Sequence, residues 1–324
     1  MSLDGAVWRR FAWTALLAGI ACLAVVYGFV VVIDPWDTLP LSPPLPRVPI
    51  SGNARFSFPA LARSGRFDAV VLGTSTARLL QPAQLDPAFG ARFANLAMNS
   101  ATAWEQVQVL TVFLRAHPMP RAIVIDMDAA WCGGEAPELT PRPFPGWVYR
   151  ANLWPGYREM LTPYAVQEAG AQIAVMVGWK RPPYGLDGYT RFVPPDAEYD
   201  PVRVNAAFAR WAPVDDASAV PGEAVALPAL ARLGPALDLV PQGVRVVLFF
   251  PPISAEQQGA PGSRTAARWA ACKVAVREIA EGRAVVVDLL QRNAMTEDRG
   301  NYWDPLHVRE RVAAETALAL GAGR

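Results

Sequence analysis

The first long apolar run of the chain extends from Phe11 to Ile33 and contains no charged residue. As a helix it would rise about 35 Å at 1.5 Å per residue, which is enough to cross a bilayer. The run is longer than the apolar core of a signal peptide, and it ends in VVVIDPWD, which offers no small-residue cleavage site. The pattern therefore predicts an uncleaved transmembrane helix over residues 11–33.

The charges beside this helix predict its direction. Arg9 and Arg10 precede the apolar run, whereas Asp34 follows it. By the positive-inside rule, residues 1–10 stay in the cytoplasm and everything after Asp34 is exported. Residues 35–50 contain six prolines, which exclude a helix, so we expect a stiff, extended tether over 34–55 that spaces a domain from the lipid.

Short apolar runs after the tether alternate with longer helical stretches. The runs are 69–73, 93–97, 122–126, 244–250 and 284–289, and the helix candidates are 101–116, 157–177, 263–281 and 308–321. Continuous β-branched runs are typical of strands buried on both faces of a parallel sheet. Thr102 and Glu105 form a capping box at the start of the first of these helices. The pattern predicts a doubly wound α/β domain over 56–324, with helices on both faces of a parallel sheet.

The interval 129–222 interrupts this alternation and is rich in proline, tryptophan and tyrosine. It is either an aromatic insertion packed on the sheet or a substrate-binding cap over the strand ends, and both can hold together.

The 30 basic and 29 acidic residues nearly cancel, and no basic run is interleaved with aromatic residues. We therefore expect no nucleic-acid partner. The three cysteines lack the spacing of a metal site, so neither a metal nor a cofactor is expected. Cys132 and Cys272 could pair if the domain lies in an oxidising compartment, but the sequence does not show whether their backbones approach closely enough.

Two segments carry candidate chemistry. Gly73-Thr74-Ser75 directly follows the first strand, where ligands of parallel sheets bind and where a serine has backbone N–H groups near it. Asp304 and His307 follow the last strand and lie three residues apart, so the carboxylate can orient the imidazole. The other histidine, His117, lies at the predicted end of a helix, where we expect it to be a C-terminal cap.

These two segments resemble the serine and D-x-x-H blocks of the SGNH, or GDSL-type, hydrolase family. The resemblance covers about residues 66–320 apart from the insertion, and it implies a five-stranded flavodoxin-like sheet. It also implies that Ser75 is the nucleophile, His307 the general base and Asp304 the residue that orients the base. The N–H of Ser75 would line the oxyanion hole.

The chain departs from this family at the other oxyanion positions. Ser100 stands near the place of the family's second-block glycine, where a backbone N–H would still be available. The loop after the third strand reads Ile125-Asp-Met-Asp-Ala and lacks the family's asparagine. Either Asp128 in protonated form or Asn99 from the neighbouring loop could replace that donor. Losing one such donor costs on the order of 10²–10³ in rate.

The anchor and the late D-x-x-H also resemble the branch of this family that modifies bacterial envelope polysaccharides, including alginate-acetylation proteins. That branch implies a single-pass inner-membrane protein, bound to the lipid bilayer through 11–33, with a periplasmic domain that moves acyl groups to or from sugar hydroxyls. The expected partners are an envelope carbohydrate or acyl ester and a membrane protein that supplies acyl groups. An envelope scaffold without turnover and an unrelated α/β protein are the alternatives.

Three further residues are candidates for substrate binding. Arg78 either binds an anionic substrate or pairs with Glu105, and the need of a charge for a partner favours the pairing. Tyr302 and Trp303, beside Asp304, either pack against a sugar or belong to the core.

Overall fold

The computed structural model describes residues 3–211, 214–220 and 222–323. Residues 1 and 2 of the predicted cytoplasmic segment, 212, 213 and 221 of the insertion, and residue 324 lie outside the described residues. The strands are β1 (Ala69–Leu72), β2 (Phe93–Asn95), β3 (Ala122–Asp126), β4 (Arg245–Phe250) and β5 (Val285–Asp288). The α-helices are α1 (Leu3–Ile33), α2 (Ala54–Arg63), α3 (Pro82–Phe89), α4 (Ala103–Ala116), α5 (Ala129–Cys132), α6 (Gly156–Glu159), α7 (Pro163–Met176), α8 (Pro201–Arg210), α9 (Leu233–Asp238), α10 (Arg264–Ala280), α11 (Ala294–Glu297) and α12 (Glu310–Ala322).

The five strands form one parallel sheet in the order β2-β1-β3-β4-β5. Each strand lies inside one of the predicted apolar runs, so the prediction of a five-stranded parallel sheet is confirmed. The helices α4, α7, α10 and α12 also lie at predicted positions. The capping box of α4 is present: Thr102 Oγ1 accepts from the Glu105 N–H (3.1 Å), and the Glu105 carboxylate accepts from the Thr102 N–H (3.0 Å).

Alternate residues of the strands enter two different cores. Val70 and Leu72 pack with residues of α2, α4, α9 and α10, whereas Ala69 and Val71 pack with residues of α3 and α12. Successive side chains of a strand point to opposite faces, so helices cover both faces of the sheet. This arrangement explains why the strands are apolar throughout and do not alternate with polar residues.

The first helix, α1, is long and apolar enough to cross a membrane from Gly5 to Ile33. The expectation that residues 34–55 form a spacer is wrong in one respect. Their prolines exclude a helix up to the start of α2, as predicted, but Trp36 is only 2% exposed and packs against Trp147 and Tyr164 of the insertion. Aromatic side chains of the insertion provide an apolar site for Trp36, so the segment is part of the domain.

A disulfide joins Cys132, at the end of α5, to Cys272 in α10. It fixes the beginning of the insertion to a helix that packs on the sheet. The insertion is therefore attached to the domain covalently as well as by packing.

Candidate functional site

Three predicted side chains meet at the carboxyl end of the sheet. Ser75 Oγ lies 2.8 Å from His307 Nε2, and His307 Nδ1 lies 2.7 Å from Asp304 Oδ2. The imidazole can therefore accept the serine proton through one nitrogen while its other N–H donates to the carboxylate. This is the connectivity of a serine, histidine and aspartate triad.

The backbone at Gly73 brings Ser75 to this position. Gly73 has a φ of +155°, and a Cβ there would lie 2.5 Å from the Cβ of Asp126 and 2.7 Å from the Cβ of Ala77. Only glycine fits, because the chain passes directly over β3 as it leaves β1. The close approach lets the chain turn sharply into the short 3-10 helix at Ala77–Leu79, and Ser75 lies at that turn.

The loop that carries Asp304 and His307 is held by its own hydrogen bonds. Asp304 Oδ1 accepts from the N–H groups of Leu306 (2.9 Å) and His307 (3.0 Å), and the Trp303 N–H donates to the His307 carbonyl oxygen (2.9 Å). Burial alone would raise the pKa of Asp304, but the hydrogen bonds and the charge of His307 outweigh it and lower that pKa. The carboxylate therefore stays ionised and can stabilise an imidazolium.

The insertion contributes aromatic side chains that the sequence analysis did not identify. Phe192 packs edge-on against the His307 ring, with ring centroids 5.2 Å apart. The Arg78 guanidinium lies over the rings of Phe192 (5.2 Å) and Tyr184 (5.5 Å). The insertion thus both packs on the domain and covers the carboxyl end of the strands beside the triad. The high aromatic content of the insertion indicated that such side chains could reach the site. Nothing in the sequence distinguishes Phe192 and Tyr184 from the other aromatic residues.

Arg78 does not pair with Glu105, so the favoured pairing is wrong. Arg55 Nε and Nη2 donate to the two oxygens of Glu105 (2.7 and 2.5 Å), and both side chains of this pair are buried. Arg78 instead donates from Nη1 to Asn99 Oδ1 at 2.6 Å. It is only 6% exposed, and its Nε has no hydrogen-bond partner among the described residues. A cation three residues after Ser75 is therefore buried and hydrogen-bonded to the predicted oxyanion loop.

That loop follows β2 and lies against the turn that carries Ser75. The Met98 N–H donates to the Gly73 carbonyl oxygen (3.0 Å), which joins the two loops. Ser100 has a φ of +53°, in the left-handed region that favours glycine. The guanidinium of Arg55 donates to the carbonyl oxygens of Asn99 (3.4 Å) and Ser100 (3.5 Å). The buried Arg55–Glu105 pair therefore holds this loop in place.

The hydrogen bonds of Asp128 differ from those expected of an oxyanion donor. Its Oδ1 accepts from the Ala130 N–H (2.8 Å) at the start of α5, and its Oδ2 accepts from the Thr74 hydroxyl. These contacts make Asp128 a hydrogen-bond acceptor and a helix cap. Burial raises the pKa of Asp128 to about 6 against the opposing effect of the Thr74 hydrogen bond.

Asp126, at the end of β3, is a buried residue of the site that the sequence analysis missed. Burial raises its pKa well above the usual value, and the neighbouring Asp128 raises it further. It accepts a hydrogen bond from the Thr76 hydroxyl. Two carboxyl groups thus lie under the two threonines that flank Ser75. The sequence feature that could have identified Asp126 is a carboxylate at the end of a central strand.

Tyr302 belongs to the core, and Trp303 is partly buried against it. Tyr302 is 0% exposed, and its hydroxyl donates to the Pro252 carbonyl oxygen (2.8 Å). Trp303 packs on Tyr199, with ring centroids 5.6 Å apart. The role of sugar platform is therefore wrong for Tyr302, because its ring is enclosed by the apolar cluster beneath the His307 loop.

A cavity of about 320 Å³ adjoins the triad. Thr74, Thr76 and Leu306, each next in sequence to a triad residue, form one side of it, and Arg268 and Trp269 of α10 form another. No hydrogen bond or ion pair of Arg268 occurs within the described part of the chain. The cavity therefore has an aromatic ring and a cation in its lining, together with residues adjacent in sequence to the triad.

The chain matches no protein-family model and no protein of curated function. The fold and the site thus define an α/β protein with a serine, histidine and aspartate constellation at the carboxyl end of a parallel sheet.

Proposed function

We propose that this chain is a membrane-anchored serine acyl-ester hydrolase or O-acyltransferase that acts on cell-envelope carbohydrate outside the cytoplasm. The observation that carries the proposal is the hydrogen-bonded chain from Ser75 through His307 to Asp304. Its members come from opposite ends of the domain, and Ser75 and His307 are 232 positions apart. Local packing of neighbouring residues does not account for such a meeting.

In the proposed reaction, His307 Nε2 removes the Ser75 proton while Ser75 Oγ attacks the ester carbonyl. The carbonyl oxygen becomes an oxyanion, and the imidazolium then gives its proton to the leaving alcohol. The resulting acyl-serine is attacked by water or by a sugar hydroxyl, with His307 again taking the proton. The products are the free acid in hydrolysis and a new sugar ester in transfer.

The N–H groups of Ser75 and Ser100 are the proposed backbone donors to the oxyanion. Asn99 is the proposed third donor in place of the family's asparagine. A guanidinium can only donate, so the Asn99 oxygen that accepts from Arg78 is fixed toward it and the amide nitrogen faces another direction. Arg78 is thereby a positioning residue, and its buried positive charge favours an oxyanion nearby.

Membership of the SGNH family is part of this proposal. The strand order 2-1-3-4-5 is that of flavodoxin-like sheets. The left-handed backbone of Ser100 suits a position where that family has glycine. The resemblance to its envelope-polysaccharide branch, together with the apolar α1, supports a bacterial inner-membrane location with a cytoplasmic N-terminus and a periplasmic domain. The oxidised Cys132–Cys272 pair agrees with an exported domain.

A non-catalytic scaffold of envelope polysaccharide assembly is the second candidate. It is favoured by the loop after β3, where Asp128 caps α5 and no asparagine is present. A transferase, by contrast, would need an acyl donor, and a membrane protein that delivers acyl groups across the bilayer is its expected partner.

The test uses the full-length protein in detergent with an aryl acetate as substrate. We expect release of the chromophore and a labelled acyl adduct on Ser75. Ser75→Ala should lose both, whereas Ser64→Ala, a serine at the end of α2, should keep both. Absence of turnover and of any Ser75 adduct in the unaltered protein would refute the enzyme and favour the scaffold.

A further inference from the structure

The junction between α1 and the domain is held by hydrogen bonds and apolar packing. Tyr27 Oη donates to the Tyr157 carbonyl oxygen (2.8 Å), and Arg47 Nε donates to the Ile33 carbonyl oxygen at the end of α1 (2.6 Å). The Asp34 carboxylate accepts from the N–H groups of Thr38 and Leu39 (both 2.8 Å) and closes the following turn. Most residues of 27–33 in α1 pack against the domain, whereas residues 5–26 are exposed.

The exposed part of α1 is too short to hold the domain away from a bilayer. Residues 11–26 rise only about 24 Å, whereas a hydrocarbon core of about 30 Å takes about 20 helical residues. Arg9 and Arg10 mark the end of the apolar run, because charged side chains are disfavoured in the hydrocarbon core. A span that begins at Phe11 therefore extends to about Val30, which lies among the residues that already contact the domain.

Helix α7 runs beside this part of α1. Trp36, beyond the end of α1, contacts Tyr164 (5.8 Å between ring centroids) and Glu168 (3.4 Å from Nε1 to Oε2) in the first half of α7. Ile173, in the second half, packs in the same cluster as Tyr27. Because α7 starts beside Trp36, beyond the end of α1, and also contacts α1 itself, its C-terminal half is the part that lies alongside α1.

The surface beside α1 carries the residues that membrane interfaces favour. Trp179, just after α7, is 86% exposed, and Lys180 and Arg181 follow it on the surface. Trp154 is 57% exposed and packs on Tyr157, whose carbonyl oxygen accepts from Tyr27 of α1. Tryptophan is enriched at the headgroup level, and basic residues there attract anionic lipids.

We propose that Trp154 and Trp179 lie in the headgroup layer of the bilayer and hold the domain against the membrane in one orientation. The occupant of this surface is the lipid itself, with anionic headgroups beside Lys180 and Arg181. The inference rests on the proposed membrane anchor but not on the proposed enzymatic reaction. It replaces a domain that swings on a tether with one that is fixed at the lipid surface.

Spin labels on the full-length chain test this arrangement. The background variant is Cys22→Ala, which leaves the disulfide pair intact, and the vesicles contain phosphatidylethanolamine and phosphatidylglycerol at 3:1. Labels are placed by Trp154→Cys, Trp179→Cys, Leu17→Cys in α1 and Leu318→Cys, an exposed position of α12 on the other face of the sheet. The measurement is the ratio of collisions with oxygen, which enters lipid, to collisions with a water-soluble nickel complex.

We expect this ratio to be severalfold higher at positions 154 and 179 than at 318, and highest at 17. If 154 and 179 resemble 318 while 17 is lipid-exposed, the helix spans the bilayer but the proposed surface does not touch it, and the inference is overturned. If 17 is also water-exposed, the anchor itself is wrong and the inference falls with it.

Discussion

Removing one charge of the buried Arg55–Glu105 pair should destabilise the domain strongly. In Glu105→Gln the guanidinium keeps its charge in a place with almost no access to water, while its two charge-assisted hydrogen bonds of 2.7 and 2.5 Å are weakened. Breaking a buried ion pair from one side costs about 3–5 kcal/mol. At roughly 2–4 °C per kcal/mol for a domain of this order of size, the Tm should fall by about 6–20 °C.

The matched control is Glu310→Gln. Glu310 pairs with Arg191 at 3.3 Å on the surface, where the Arg191 side chain is about half exposed. Surface pairs of this kind contribute about 0–1 kcal/mol, so the control should melt within a few degrees of the unaltered protein. Both variants are measured by thermal and urea unfolding of the detergent-solubilised chain.

The double variant Arg55→Met/Glu105→Leu separates charge burial from loop positioning. It leaves no charge without a partner, so it should be more stable than Glu105→Gln. It should nevertheless lose esterase activity, because the guanidinium that donates to the Asn99 and Ser100 carbonyl oxygens is gone. Equal melting temperatures for Glu105→Gln and Glu310→Gln would refute the reasoning.

The remaining predictions concern the site and the crosslink. Asp304→Asn should lower kcat on an aryl acetate by about 10⁴-fold, the loss that the same replacement causes in a serine protease triad, and a normal Tm would show that the fold is kept. Because burial raises the pKa of Asp128 to about 6, its contribution to stability is present below about pH 4 and is lost as the pH rises through 6. Asp128→Asn should therefore flatten the fall in urea midpoint between about pH 4 and 6, and an unchanged slope would contradict this. Replacing both Cys132 and Cys272 by serine should lower the free energy of unfolding by about 2–5 kcal/mol, because the crosslink closes a loop over a separation of 140 positions. A urea midpoint equal to that of the unaltered protein would contradict this prediction. Arg78→Met should lower kcat by up to about 10²-fold with little change in KM, since Arg78 acts through the amide it holds, and an effect on KM alone would instead indicate substrate binding.

The strands could be predicted because each is buried on both faces and reads as an apolar run. The helices found from sequence have strong local signals, such as the Thr102 and Glu105 box of α4. Helices α2 and α3 were missed because each contains an internal proline and is stabilised by packing rather than by propensity.

In the candidate site, the serine and D-x-x-H segments could be located because their chemistry is local in sequence. Contacts between residues that are distant in sequence could not be predicted in this way. The sequence analysis favours Arg78 as the partner of Glu105, whereas the packing of α2 on α4 places Arg55 there. The same holds for Phe192, whose contact with His307 depends on the path of the whole insertion.

The long separation between Ser75 and His307 has a consequence for biogenesis. If the domain is exported in chain order, the nucleophile leaves the cytoplasm well before the imidazole that would activate it. A partly translocated polypeptide then carries an unactivated hydroxyl, and it cannot cleave esters that it meets during secretion. The proposed reactivity would arise only when the last strand and the segment after it have joined the sheet.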